Sequence, residues 1–209
     1  MRFDNPGREN YNLLMISCVL LSAGFSARFG SPKALATFSH ETVIGRLQRL
    51  LIDSAVDEAI IVLGHDADQI KPHLLEHGKI KVVYNKDYKL GQTSSFKTGL
   101  RTTSPHAQGI MLFPVDLPVV KIETVNFLID QFHKEKPAIL IPTYNGKKGH
   151  PPIFHSRLKA DFLTLDDSAG LNTLQHQFTS ETFLTAVHDP GILLSFNTPE
   201  ELQKIEASL

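Results

Sequence analysis

Short apolar runs alternate with stretches of helical period along the chain, and this alternation leaves few architectures open. The runs predict strands over Met15–Ser22, Ala59–Leu63, Lys81–Tyr84, Ile110–Val115 and Ala138–Pro142. Between the first two, Val43, Ile44, Leu47, Leu50 and Leu51 repeat at helical spacing, with Arg46, Gln48 and Arg49 predicted to face water. Ile122, Val125, Leu128, Ile129 and Phe132 repeat in the same way between the last two, and Lys134–Glu135–Lys136 before Pro137 ends that helix. Strands joined by crossover helices give the α/β class with a mainly parallel sheet. After Pro142 the rhythm loosens: strands are expected over Phe183–Val187 and Ile192–Phe196, bracketing the turn His188–Gly191. A last helix opens with Thr198 as N-cap, Pro199 at the first helical position and Glu201 as a capping-box glutamate. One domain is expected over 13–207, with 1–12 as a loose tail.

Charge narrows the function. Lysine and arginine number 21 against 22 aspartates and glutamates, a net charge of −1 that excludes the broad basic surface of a nucleic-acid or anionic-membrane binder. No apolar run is long enough for a membrane span. The single cysteine, Cys18, permits neither an intrachain disulfide nor a cysteine-based zinc site, which suits a reducing cytoplasm. Leu13–Ala23 has the outline of a secretory signal, but Asp4 and Glu9 offset Arg2 and Arg8 and Ser17 interrupts the run, so it reads as a buried first strand with Cys18 as packing.

The segment from Leu21 to Lys33 (LSAGFSARFGSPK) carries the strongest chemical signal. A strand that runs into small residues, two glycines, an arginine and a lysine suits polyphosphate: the glycines let the backbone approach, amides face the oxygens, and Arg28 and Lys33 neutralise charge. Neither GxGxxG nor the P-loop spacing is present. Phe25 and Phe29 are expected to pack beneath this loop.

Asp116 stands where an apolar run ends in Asp-x-Pro, at a strand end where open α/β sheets gather ligands. It reads either as a cap for the helix near Lys121 or as a ligand for Mg²⁺, and a phosphate loop on the same sheet edge favours the metal. Ser94 and Ser95 lack a nucleophile elbow, leaving them as a helix N-cap and as contacts to base or ribose. His150 projects from a constrained Gly-His-Pro-Pro loop; His65, His73, His77 and His155 show no metal pairing and receive no role.

The Leu21–Lys33 string resembles the L-x-(A/G)-G-x-S-x-R-(M/F)-G-x-x-K signature of nucleotidyltransferases, and more closely the molybdenum cofactor cytidylyltransferase-like branch of the MobA-like NTP transferases. Gly91–Phe96 (GQTSSF), Phe113–Pro118 (FPVDLP), Lys148–Pro152 (KGHPP), and Asp189–Ile192 with Asn197–Glu201 are similar to that family's further motifs, in family order. The resemblance implies a three-layer α/β/α Rossmann-like nucleotide-diphospho-sugar transferase fold and transfer of CMP from CTP to molybdopterin, with Mg²⁺ as cofactor and pyrophosphate released. It implies Arg28, Lys33 and Asp116 as catalytic residues, Ala23, Gly24, Gln92, Ser94 and Ser95 as further nucleotide contacts, and Gly149, His150 and Asn197 toward the acceptor. Asp116 and Asn197 would share the metal, and the product would pass to a molybdoenzyme. Ala23 and GQTSSF favour the cytidylyl branch over the guanylyl branch. Ser195-Phe196-Asn197 departs from the cytidylyl D-x-D, lacking both carboxylates, and its asparagine resembles the guanylyl N-x-N. Two alternatives stay open: a sugar or polyol phosphate as acceptor, and a non-catalytic nucleotide- or cofactor-binding chaperone.

Overall fold

The computed structural model describes residues 15–209; the expected tail over 1–12 and the expected domain start at 13 lie outside the described residues. Strand β1 (Met15–Ser22) forms as predicted and is buried from Ile16 onward. Ile16, Cys18 and Leu20 enter one core cluster, Val19 and Leu21 the other. A strand covered on both faces has no polar side to show, which is why the segment is a continuous apolar run.

The chain continues through a hairpin of β2 (Thr37–Phe38) and β3 (Glu41–Thr42), then α1 (Val43–Asp53), β4 (Glu58–Leu63), α2 (Ala67–Ile70) and β5 (Ile80–Tyr84). After these come α3 (Gln92–Thr102), β6 (Ala107–Pro114), α4 (Ile122–Glu135), β7 (Ile139–Tyr144), β8 (Lys147–Lys148) and β9 (Ile153–His155). Helices α5 (Lys159–Thr164) and α6 (Asn172–Gln177), strand β10 (Thr182–Ala186) and helix α7 (Pro199–Ala207) close it.

The strands lie in the order β10-β7-β9-β6-β1-β4-β5, with β8 attached to β7. Pairing is parallel between β1 and both β4 and β6, between β4 and β5, and between β7 and β10. Strand β9 runs antiparallel to both β6 and β7. Apolar residues of α1, α4 and α7 fill one face of the sheet, and those of α3, α5 and α6 the other. This is the three-layer α/β/α Rossmann-like fold. From β1 the chain works outward to β5, then returns to place β6 on the other side of β1. The crevice at the carboxyl ends of β1 and β6 is therefore a topological switch point, where such sheets bind ligands.

Three local expectations are corrected. Gln48 does not face water: it is fully buried, donating to the carbonyls of Ile44 and His73 and accepting from Leu75 N, so its amide ties α1 to the segment after α2. Of the two strands expected around His188–Gly191, the first forms as β10, but Ile192–Phe196 is not a strand. Strand β10 pairs with β7, and Pro190–Leu193 is a 3-10 turn. Asp189 explains this: its buried carboxylate accepts from Gly191 N, Lys121 N and Thr124 Oγ1, fixing the turn against the start of α4. At α7, Thr198 accepts from Glu201 N as an N-cap should, but the Glu201 carboxylate accepts from Asn197 N, one residue earlier than a capping box requires.

Candidate active site

The loop after β1 wraps around Ser26. Its carbonyl accepts from Phe29 N and Gly30 N, and its hydroxyl accepts from Lys33 N at 3.1 Å. Ser26 and Gly30 both take the left-handed conformation (φ 50° and 79°), so the chain curls and leaves Gly24, Ala27 and Arg28 exposed. Phe29 packs on Phe196, ring centroids 5.4 Å apart, as expected for a residue beneath the loop. Phe25 does not: it stands out from the loop, 47% exposed, and the expectation that it packs underneath is corrected.

The loop's cations meet the strand-end aspartate. Lys33 Nζ lies 3.2 Å from Asp116 Oδ2 and 3.1 Å from Asn197 Oδ1, and Arg28 Nη2 donates to the same Asn197 oxygen at 2.8 Å. Asp116 is positioned by the end of β6 and accepts Phe196 N at its carbonyl, which draws the segment before α7 to the crevice. Residues far apart in sequence thus converge as two cations around two oxygen ligands.

Two cavities flank Asp116. One, of about 420 Å³, is lined by Ala23, Gly24, Arg28, Lys33, Gln92, Ser95, Asp116 and Asn197, together with Phe25, His65 and Tyr88. Its volume is in the range of small-molecule sites. The other, of about 270 Å³, is lined by Lys148, Gly149, His150, Ile192 and Ser195, with Gln92 and Asp116 in the shared wall. His150 N donates to Ile192 O, and its buried Nδ1 has no hydrogen-bond partner among the described residues. Burial lowers the pKa of this imidazole, against the opposing charge of Asp116, so the ring is neutral at neutral pH.

Among the expected nucleotide contacts, Ser94 is the one placed behind the wall. It is not the N-cap of α3, which begins at Gln92 after Gly91; it lies inside the first turn. Its hydroxyl accepts from Asn85 Nδ2 and donates to the Asp87 carbonyl, while Asn85 also donates to Ser95 Oγ. Asn85 thereby fixes the start of α3 beside the cavity. The loop over 166–170 is tied to α3 through Lys97 to Asp167 and Thr93 to Ala169 O. In the sequence alone His65 has no role and Tyr88 does not stand out. Their positions just beyond β4 and β5 become significant only once those strands are known to follow β1 in the sheet.

The donor set can be tested against a divalent cation. Among the described residues no group of three or more His, Cys, Asp or Glu forms a metal cage. Mg²⁺ needs none: it is commonly held by one or two carboxylates while waters and substrate phosphates complete its shell. The Asp116 carboxylate and the Asn197 amide oxygen already share one cation, the Lys33 ammonium. Two hard oxygens around a cation-sized position fit that ion.

Comparison with known proteins is consistent with this geometry. The profile of the MobA-like NTP transferase domain matches residues 18–182. A Bacillus cereus relative named "probable molybdenum cofactor guanylyltransferase" is 28% identical over 151 residues, covering 70% of this chain and 72% of its own. The crystal structure of Rv0371c from Mycobacterium tuberculosis H37Rv superposes with a TM-score of 0.81 at 26% identity, covering 93% of this chain and 100% of that one. A second structure of that protein, described as a complex with manganese, gives 0.77 at 25% identity over the same shares. No helix among the described residues is long and apolar enough to cross a membrane.

Proposed function

The chain is a nucleotidyltransferase belonging to the MobA-like NTP transferase domain family, and from that premise we propose that it transfers CMP from CTP to molybdopterin, releasing pyrophosphate. The observation that carries this reading is the convergence of Arg28, Lys33, Asp116 and Asn197 at the switch-point crevice. In this reaction an oxygen of the acceptor's phosphate attacks the α-phosphorus, a new P–O bond forms, and the bond to the β-phosphate oxygen breaks.

The protein has little covalent work to do, and positioning with charge stabilisation supplies most of the acceleration. The amides around Ala23 and Gly24 hold phosphate oxygens, and Arg28 with Lys33 neutralises the charge that gathers on the leaving pyrophosphate. Asp116 and Asn197 would hold Mg²⁺, which when bound supplies Lewis-acid charge at the α-phosphate. Gln92 and Ser95 line the nucleotide side, while Gly149 and His150 face the acceptor from the second cavity. Because Asp116 and Gln92 belong to both cavity walls, the two substrates meet there. The unpartnered Nδ1 of His150 offers a hydrogen bond to the acceptor. The manganese complex of the similar Mycobacterium protein supports a divalent ion, the lone buried Cys18 fits a cytoplasmic enzyme, and a molybdoenzyme would take up the product.

GTP is the second reading, favoured by the guanylyltransferase name of the Bacillus relative and by Asn197 in place of an aspartate. Pyrophosphate release measured side by side with CTP and GTP, Mg²⁺ and molybdopterin separates the two. Asp116→Ala is expected to lower turnover at least 100-fold while circular dichroism and the melting transition stay unchanged. Unaffected turnover in that variant, or tight nucleotide binding without turnover, would overturn the assignment.

A further inference from the structure

We infer that Phe25, His65 and Tyr88 form an aromatic shelf that holds the base of the donor nucleotide; this rests on the proposed reading of the loop as a triphosphate site. The rings come from three elements: the loop after β1, the end of β4 and the 3-10 turn after β5. Phe25 is centred 5.0 Å from His65 and 5.3 Å from Tyr88, in both cases edge to face, and His65 is 5.7 Å from Tyr88. All three line the larger cavity.

Phe25 is 47% exposed, whereas Phe38, Phe96, Phe113, Phe132, Phe154 and Phe196 are essentially fully buried. An apolar ring left open in a cavity wall gains little by folding there, and its exposed face matches the flat face of a nucleobase. The shelf is also firmly built. His65 N donates to Ala23 O, and Gly64 brings the strand end so close that a Cβ there would stand 2.6 Å from Tyr88 Cβ and 2.7 Å from Ala23 O.

Sheet order gives the direction. Asp116 is carried by β6, the phosphate loop by β1, and His65 by β4 on the far side of β1. Two strand spacings, about 10 Å, separate the ends of β6 and β4. A nucleotide with its α-phosphate at Asp116 therefore reaches the rings with its base by lying across the end of β1.

The test compares CTP, GTP and inorganic tripolyphosphate by calorimetry on the full chain, for the unmodified protein, Phe25→Ala, Tyr88→Ala and the conservative Phe25→Tyr. The unmodified protein should bind at least one nucleotide roughly 10-fold or more tighter than tripolyphosphate, the low end of what one base stack supplies. Both alanine variants should lose that advantage with tripolyphosphate affinity unchanged, and Phe25→Tyr should keep it. Equal binding of nucleotide and tripolyphosphate to the unmodified protein, or parallel loss of both in the variants, overturns the shelf while leaving the phosphate loop standing. If the unmodified protein binds none of the three, the shelf and the triphosphate reading fall together.

Discussion

The Lys33 ammonium lies 3.2 Å from the carboxylate of Asp116 and 3.1 Å from the amide oxygen of Asn197. The side chain is held in place, with 14% exposure for Lys33 and 26% for Asp116. In the proposed reaction those two oxygens take a divalent ion, so the ion and the Lys33 ammonium would compete for them. Lys33→Met should therefore bind Mn²⁺ several-fold more tightly than the unmodified protein when no nucleotide is present, and bind CTP about 10-fold or more weakly. Titration calorimetry with each ligand checks both halves.

Glu58 gives a pH dependence of stability. Its buried carboxylate accepts from Ser17 Oγ and Ser104 N at one oxygen and from Lys81 Nζ at the other. Burial pushes its pKa up, but the hydrogen bonds from Lys81, Ser104 and Ser17 and the Lys81 charge outweigh that and leave it lowered from 4.5. A lowered folded value means the stabilisation is fully present above the unfolded value and is lost as pH falls through the folded one. Stability of the unmodified protein should thus decline below about pH 4.5. Glu58→Gln should be less stable at neutral pH and show a flatter profile in that window, as read by urea midpoints at several pH values.

Gly99 sets how closely α3 approaches the sheet. A Cβ there would stand 2.3 Å from Val19 Cγ1 and 3.0 Å from Val62 Cγ2, both rigid β-branched side chains in central strands. Alanine gains about 1 kcal/mol in helix propensity over glycine, whereas overpacking a dense core costs about 1–3 kcal/mol. The clash should win, and Gly99→Ala should unfold at lower urea concentration with an unchanged slope.

Asp189 connects stability to the second cavity. Its carboxylate satisfies Lys121 N, Thr124 Oγ1 and Gly191 N, and three residues later Ile192 O accepts His150 N. Asp189→Ala strands those donors and should cost about 2–4 kcal/mol. It should also raise the KM for the acceptor more than the KM for the nucleotide, because the released turn carries the His150 backbone and not the phosphate loop. Denaturant melts and initial-rate kinetics read the two effects.

The parallel core was legible in the chain because strands buried on both faces must be apolar throughout, as β1 and β4 are. Strand β9 was not: three residues after two prolines carry no period, and its place between β6 and β7 is a matter of long-range pairing. Gln48 reads as a solvent-facing polar residue because nothing local shows that His73 O and Leu75 N will come to meet it. In the site, Arg28, Lys33, Asp116 and Asn197 could be picked out by type and position, and the structure brings them together. The roles of His65 and Tyr88 depend on which strands neighbour β1, which a single chain does not reveal.

Strand β9 has a consequence for how such a chain can diversify. By pairing with β6 on one side and β7 on the other, it anchors both ends of the stretch from Asn145 to Pro152 in the same sheet. That stretch carries Lys148, Gly149 and His150, and the loop that holds Arg28 and Lys33 is mounted separately on β1. Exchanges there would alter one wall of the second cavity, while Gln92, Asp116, Ile192 and Ser195 supply the others. Under the proposed reaction, new acceptors could be acquired by rewriting a few residues while the nucleotide chemistry is inherited intact.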